Sequence, residues 1–98
     1  MMADERLYVV TYDIAEPKRW RRVFKTMKGY GYWLQLSVFQ CRLTARRRAE
    51  MIARLEGLIK LAEDHVLILD LGLADRVDPH VESLGKGYEI PTRQATIV

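Results

Sequence analysis

The sequence predicts an α+β domain, an antiparallel sheet with two helices packed on one face. Strand-like and helix-like periodicities alternate along a chain of 98 residues, which is the size of one domain, 1–98. The segment His65–Leu71 (HVLILDL) is apolar at every position from Val66 to Leu69. Such a strand is covered on both faces, yet two helices can cover only one. A second copy against the open face, giving a face-to-face homodimer, is therefore expected.

Leu7–Ile14 (LYVVTYDI) is rich in β-branched and aromatic residues and reads as the first strand. Ala15-Glu16-Pro17 ends it, and Pro17 suits the first turn of a helix, where its missing N–H would be unpaired anyway. Trp20, Val23, Phe24, Met27 and Tyr30 then form one apolar stripe at helical spacing. Lys18, Arg21, Arg22, Lys25 and Lys28 occupy the opposite face, with Arg19 at its margin, and Gly29 and Gly31 end the helix.

Trp33–Leu43 (WLQLSVFQCRL) is expected as one continuous strand, with Leu34, Leu36 and Val38 on one face and Gln35, Ser37, Phe39 and Cys41 on the other. Thr44 suits the N-cap of a second helix from Ala45 to about Leu61, buried along Met51, Ile52, Leu55, Leu58 and Ile59. His65–Leu71 follows as a strand. Gly72–Pro79 is a polar connection, His80–Leu84 a short strand, Gly85–Gly87 a turn, and Ala95–Val98 an apolar tail able to pair at a sheet edge. This is the ferredoxin-like βαββαβ plan with an extra C-terminal strand, taking His80–Leu84 as the fourth strand of the plan.

Charge is unevenly placed. Between Glu16 and Glu50 stand ten Lys or Arg residues (Lys18, Arg19, Arg21, Arg22, Lys25, Lys28, Arg42, Arg46, Arg47 and Arg48) and no Asp or Glu. Residues 1–54 hold 12 basic and 5 acidic side chains, residues 55–98 hold 4 and 8. One face is thus steered toward an anionic partner. A solvated helix face is the plainer alternative, but such faces normally mix signs, because like charges at helical spacing cost about 0.2–0.5 kcal/mol per pair. Arg46-Arg47-Arg48 fall in the first turn of the second helix, where the macrodipole disfavours a cation by about 0.3–1 kcal/mol. Arginines placed there fit phosphate, which a guanidinium grips through two parallel hydrogen bonds. No base-reading motif is present, so contacts to the backbone and a strong salt dependence are expected.

Asp13 is the only carboxylate in the first strand-like run. It is either a strand-end turn former or cap near Pro17, or a ligand for magnesium, which takes carboxylate, waters and substrate phosphate. One carboxylate per chain is too few for a self-contained site, and a two-fold axis near the strand ends would supply a second Asp13. Cys41 is the sole cysteine, which excludes a disulfide framework and a cysteine zinc site. His65 and His80 lie far from other metal ligands in sequence, and Ser37 and Cys41 have no His nearby to activate them. Tyr8, Tyr12, Tyr30, Tyr32, Trp20 and Trp33 could stack on bases, although helical spacing assigns Trp20 and Tyr30 to the core. No run reaches the length of a membrane span and no signal peptide opens the chain, so a cytoplasmic location is expected and no membrane partner.

Tyr12-Asp13-Ile14 closing the first strand, the basic helix ending in Gly29 and Gly31, and Gln35-Leu36-Ser37-Val38-Phe39-Gln40-Cys41 together resemble the CRISPR-associated protein 2 family. The strand opened by Asp64, Glu82-Ser83-Leu84-Gly85 and the Ala95–Val98 tail are similar to it as well. The resemblance implies a ferredoxin-like homodimer that bridges two dimers of a partner CRISPR integrase and holds prespacer DNA during spacer acquisition. It also implies a metal-dependent endonuclease acting on single-stranded RNA or duplex DNA, with Mg2+ carried by Asp13 as catalytic and metal-binding residue. Nucleic-acid contacts fall to Arg19, Arg22, Lys25, Arg42, Arg46, Arg47 and Arg48, with Tyr12, Ser37 and Phe39 in support. The chain departs from many members at Tyr32-Trp33-Leu34, where an arginine often precedes the second strand. A toxin-like ribonuclease on the same fold is the rival reading, which a neighbouring antitoxin gene, rather than an integrase gene beside a repeat array, would favour.

Overall fold

A computed structural model describes residues 4–85 and 95–97. The strand β1 (Glu5–Asp13) leads into the helix α1 (Pro17–Met27), then β2 (Tyr32–Gln35), β3 (Val38–Thr44), α2 (Ala45–Leu58) and β4 (His65–Leu73). A turn of 3-10 helix (Ala74–Arg76) precedes two short strands, β5 (Val81–Ser83) and β6 (Ala95–Ile97). The main sheet has the order β2-β3-β1-β4, and each neighbouring pair is antiparallel. β1 therefore lies inside the sheet, bonded to β3 on one side and to β4 on the other.

The first helix starts where the sequence places it. The Glu16 carboxylate accepts the backbone N–H groups of Lys18 (2.7 Å) and Arg19 (3.2 Å), and Pro17 occupies the first turn. The Thr44 hydroxyl likewise accepts the N–H of Arg47 (3.2 Å) at the start of α2. Tyr8, Val10 and Tyr12 of β1, Phe39, Cys41 and Leu43 of β3, Val23 and Met27 of α1, and Met51 and Leu55 of α2 make one buried core. Ile52, Leu58 and Ile59 pack against it, as their spacing predicts. At Gly31 a Cβ would collide with the Gln40 carbonyl and the Cys41 Sγ, so glycine lets the chain pass close under β3.

The expected single strand Trp33–Leu43 is instead a hairpin, β2 and β3, with Gln35 paired to Val38 and only Leu36 and Ser37 between them. Leu36 has φ 35°, a left-handed conformation unusual for a leucine, and 74% of its surface is exposed. Three contacts hold this turn. The Ser37 carbonyl accepts the Tyr12 N–H (3.1 Å), the Ser37 hydroxyl accepts the Trp20 indole N–H (2.8 Å), and the Leu36 carbonyl accepts the Trp33 indole N–H (3.0 Å). With the hairpin counted, β4 is the fourth strand of the ferredoxin-like plan. The segment His80–Leu84 is not: within it β5 pairs in parallel with β6 and stands outside the main sheet. Residues 86, 87 and 98 of the expected turn and tail lie outside the described residues.

α2 ends at Leu58 rather than near Leu61, because the Lys60 N–H is taken by the Asp64 carboxylate (2.8 Å). On β4, Val66 and Ile68 pack against the core while Leu67, Leu69 and Leu71 keep 48%, 41% and 38% of their surface exposed. The two-sided apolar strand thus leaves a row of leucines on the face away from the helices.

Candidate metal and nucleic-acid site

Asp13 is the last residue of β1, opposite His65 at the start of β4. It is exposed, and no hydrogen bond or ion pair engages its carboxylate among the described residues. Directly before it, Tyr12 is buried, stacked against Phe39 (centroids 6.3 Å, 24°) and tilted against Trp20 (6.3 Å). The Tyr12 hydroxyl is buried without a partner among the described residues, and burial pushes its pKa up to about 12. Tyr12, Ser37 and Phe39 lie together at this end of β1. Their contacts are internal, pinning the β1 end to the hairpin and to α1.

Asp64 emerges as the organising residue of this corner, a role the sequence did not reveal. Its side chain is fully buried and accepts the N–H of Ala15 (2.9 Å), the N–H of Lys60 (2.8 Å), the Arg19 Nε (2.8 Å) and the Arg19 Nη2 (3.1 Å). The Arg19 hydrogen bonds hold the Asp64 carboxyl well below the usual carboxylate range. The loop after Asp13, the helix α1 and the loop before β4 are thereby tied to one carboxylate. The only advance signal was position: Asp64 opens a strand, and apart from Lys60 its partners lie 45 and 49 residues away.

That network removes Arg19 from the expected phosphate contacts. Its guanidinium is bound to Asp64 and also to Glu63 (2.9 Å), and only 12% of its side chain is exposed. Arg42 projects from the sheet face away from the helices and is held by Glu5 (3.1 Å) and Asp75 (3.2 Å). Arg47 bonds Glu50 (2.9 Å) and the Gly29 carbonyl (3.0 Å) and lies 4.4 Å from the Tyr30 ring centroid, joining α2 to the end of α1. Glu50, the acid that closes the basic block, therefore folds back on it. Its pKa is lowered first by the hydrogen bond from the Tyr30 hydroxyl and then by Arg47 and Arg54. Arg48 sits over the Tyr8 ring at 5.7 Å. Arg22, Lys25 and Arg46 are exposed and make no salt bridge or hydrogen bond to a carboxylate among the described residues, while Arg46 adds to the positive field that lowers Glu50.

The expected site residues therefore do not form one patch. Thr44, just before the arginine triplet, pairs with Glu5 at the start of β1, and Asp13 is the last residue of the same strand. At about 3.3 Å per residue the two ends lie on the order of 26 Å apart. Of the basic segments, the start of α1 at Pro17 follows Asp13 by four residues. No group of three or more His, Cys, Asp or Glu residues could hold a metal among the described residues. A single free carboxylate fits magnesium only with waters, substrate or a second copy completing the shell. Cys41 is buried, and burial pushes its thiol up to about 12, so it is not a nucleophile. Among the described residues no helix is long and apolar enough to cross a membrane.

A family model described as CRISPR associated protein Cas2 matches residues 6–77. A protein of Rhodospirillum rubrum named CRISPR-associated endoribonuclease Cas2 1 is 65% identical over 94 residues, covering 96% of this chain and 92% of its own. A protein of Geobacter sulfurreducens named CRISPR-associated endoribonuclease Cas2 is 57% identical over 94 residues, covering 96% and 99%. Among solved structures, a hypothetical protein from Thermus thermophilus superposes with a TM-score of 0.71 at 35% identity, covering 87% of this chain and 96% of its own. Streptococcus pyogenes Cas2 superposes with a TM-score of 0.64 at 32% identity, covering 67% and 86%.

Proposed function

Because this chain belongs to the CRISPR-associated protein Cas2 family, we propose that it is a magnesium-dependent endonuclease of that family, and that as a homodimer it holds prespacer DNA and bridges two dimers of the partner integrase during spacer acquisition. The observation that carries the catalytic half is Asp13. It is an exposed carboxylate at the end of an interior strand, left without an internal partner while the neighbouring Asp64 is saturated. Two Asp13 carboxylates meeting across a two-fold axis would complete a magnesium site, and what the ion supplies there is charge on the phosphate oxygens and a water of lowered pKa.

The chain's own groups perform the rest. Asp64 and Arg19 hold Ala15, two residues beyond Asp13, so the carboxylate is presented from a rigid corner. Arg22, Lys25 and Arg46 offer unpaired cations to a phosphate backbone. The exposed row Leu67, Leu69 and Leu71 supports a second copy covering the open sheet face.

The test is cleavage and gel shift read from the same samples, with labelled single-stranded RNA and duplex DNA, with magnesium or with chelator. Asp13→Asn is expected to lose magnesium-dependent cleavage and to keep the shift. Equal cleavage by the variant would overturn the assignment of Asp13.

A further inference from the structure

We propose that His65 is a second metal-binding residue of the Asp13 corner, and that the pair takes a divalent transition-metal ion through a carboxylate oxygen and an imidazole nitrogen. The inference rests on the reading of Asp13 as a metal ligand, and it adds both a residue and a class of metal to that reading.

Asp13 and His65 are remote in the sequence, and the sheet sets them opposite each other as the terminal pair of β1 and β4. Directly opposed residues send their side chains to the same side of the sheet, with Cβ atoms about 4.5–5.5 Å apart. That side is the open one. Thr11 with Leu67 and Val9 with Leu69 continue it along the register, while Tyr12 and Val66 turn toward the core. Asp13 and His65 are both exposed, and neither makes a hydrogen bond or ion pair among the described residues. One buried carboxylate anchors the backbone beside each of them. Asp64 directly precedes His65, and it accepts the N–H of Ala15, two residues beyond Asp13, at 2.9 Å. The Lys60 N–H (2.8 Å) and the Arg19 Nε (2.8 Å) hold Asp64 itself in place. The two donors are thereby set side by side on a rigid frame.

The donor set chooses the metal. Magnesium takes oxygen ligands and keeps several waters, so Asp13 serves it and an imidazole adds nothing. Imidazole suits zinc, copper, iron and nickel, and affinity at mixed nitrogen and oxygen sites rises from manganese through cobalt and nickel to copper. A carboxylate paired with an imidazole therefore strengthens the hold on a transition ion and leaves magnesium indifferent to the ring. A two-fold axis that brought two Asp13 carboxylates together would bring two His65 rings with them, so the dimer would offer two oxygen and two nitrogen donor groups. His80, the only other histidine, stands just before β5 and has no part in the pair.

The experiment titrates the full chain, without a histidine tag, with Co2+ and with Mg2+ by calorimetry, in the wild type, His65→Ala, His80→Ala and Asp13→Asn. His65→Ala is expected to weaken Co2+ binding at least about tenfold, since even groups behind a metal ligand are worth roughly 10–100-fold, and to leave Mg2+ binding within about twofold. His80→Ala is expected to change neither. The proton NMR spectrum of the cobalt-loaded wild type is expected to show imidazole resonances shifted far outside the diamagnetic range, retained in His80→Ala and lost in His65→Ala. A thermal melt confirms that each variant is folded. Unchanged Co2+ affinity in His65→Ala, an equal loss for both ions, or shifted resonances that depend on His80 would overturn His65 as a ligand. If Asp13→Asn still weakens both ions, the Asp13 reading then stands without it. Metal binding unaffected by Asp13→Asn would overturn the Asp13 reading itself, and this site with it.

Discussion

Replacing Arg22, Lys25 and Arg46 together by alanine should flatten the salt dependence of duplex binding. These three are exposed and unpaired among the described residues, so each is free to displace a counterion from a phosphate. Each phosphate contact contributes about −0.9 to the slope of log K against log salt, so three contacts contribute about −2.7. Between about 50 mM and about 200 mM salt, one such contact changes affinity roughly 3.5-fold, and three change it roughly 40-fold. The wild-type loss over that interval should therefore exceed that of the triple variant by roughly 40-fold. The assay is a titration of labelled duplex at a series of salt concentrations, with the slope as the readout. Arg19→Ala is the internal control. Its guanidinium is committed to Asp64 and Glu63, so the slope should stay at the wild-type value while thermal stability falls. A slope unchanged in the triple variant, or reduced in Arg19→Ala, would refute the assignment of paired and unpaired cations to separate tasks.

Two further outcomes concern the frame that holds the site. The Asp64 carboxyl titrates below its ordinary value of 3.8, so the stability it contributes is present above that pH and is lost as pH falls through the folded-state value. Asp64→Asn should accordingly lower stability at neutral pH and flatten the acid limb of a melting-temperature profile, whereas an unchanged acid limb would show that the Arg19 contact does not survive in solution. Leu36→Gly should raise stability by about 0.5–1 kcal/mol in urea unfolding, because glycine accepts φ 35° without a Cβ penalty; a loss of that size would mean that the exposed leucine makes contacts that outweigh its backbone conformation.

Much of this architecture was legible in the chain. The strand at Leu7–Ile14, both helix starts and the buried stripe of α2 follow from period and capping residues alone. The hairpin was not legible, because Trp33–Leu43 alternates like a single strand and carries no Gly, Pro, Asn or Asp at its turn. What bends the chain there is tertiary: the Trp20 and Tyr12 groups that bond Ser37 come from other elements. Missing that turn displaced every later strand by one place in the topological plan. Arg19 was counted with the phosphate-binding residues for a related reason. Its sequence neighbours are all cationic or apolar apart from Glu16, and the carboxylate that claims it lies 45 residues away. Asp13 could be singled out because it is the only carboxylate in the run Leu7–Ile14.

The length of β1 carries a last consequence. Asp13 and the arginine triplet of α2 stand near opposite ends of that strand. Successive phosphates along one nucleic-acid strand are spaced about 3.4 Å apart along the helix axis, so a separation on the order of 26 Å corresponds to about eight nucleotide steps. A straight duplex touching both groups on one protomer must lie roughly along the strand direction and span that many base pairs. On the proposed reading, shorter fragments could occupy one end or the other but not both, and the interior strand of the sheet would act as a ruler for a nucleic acid laid beside it.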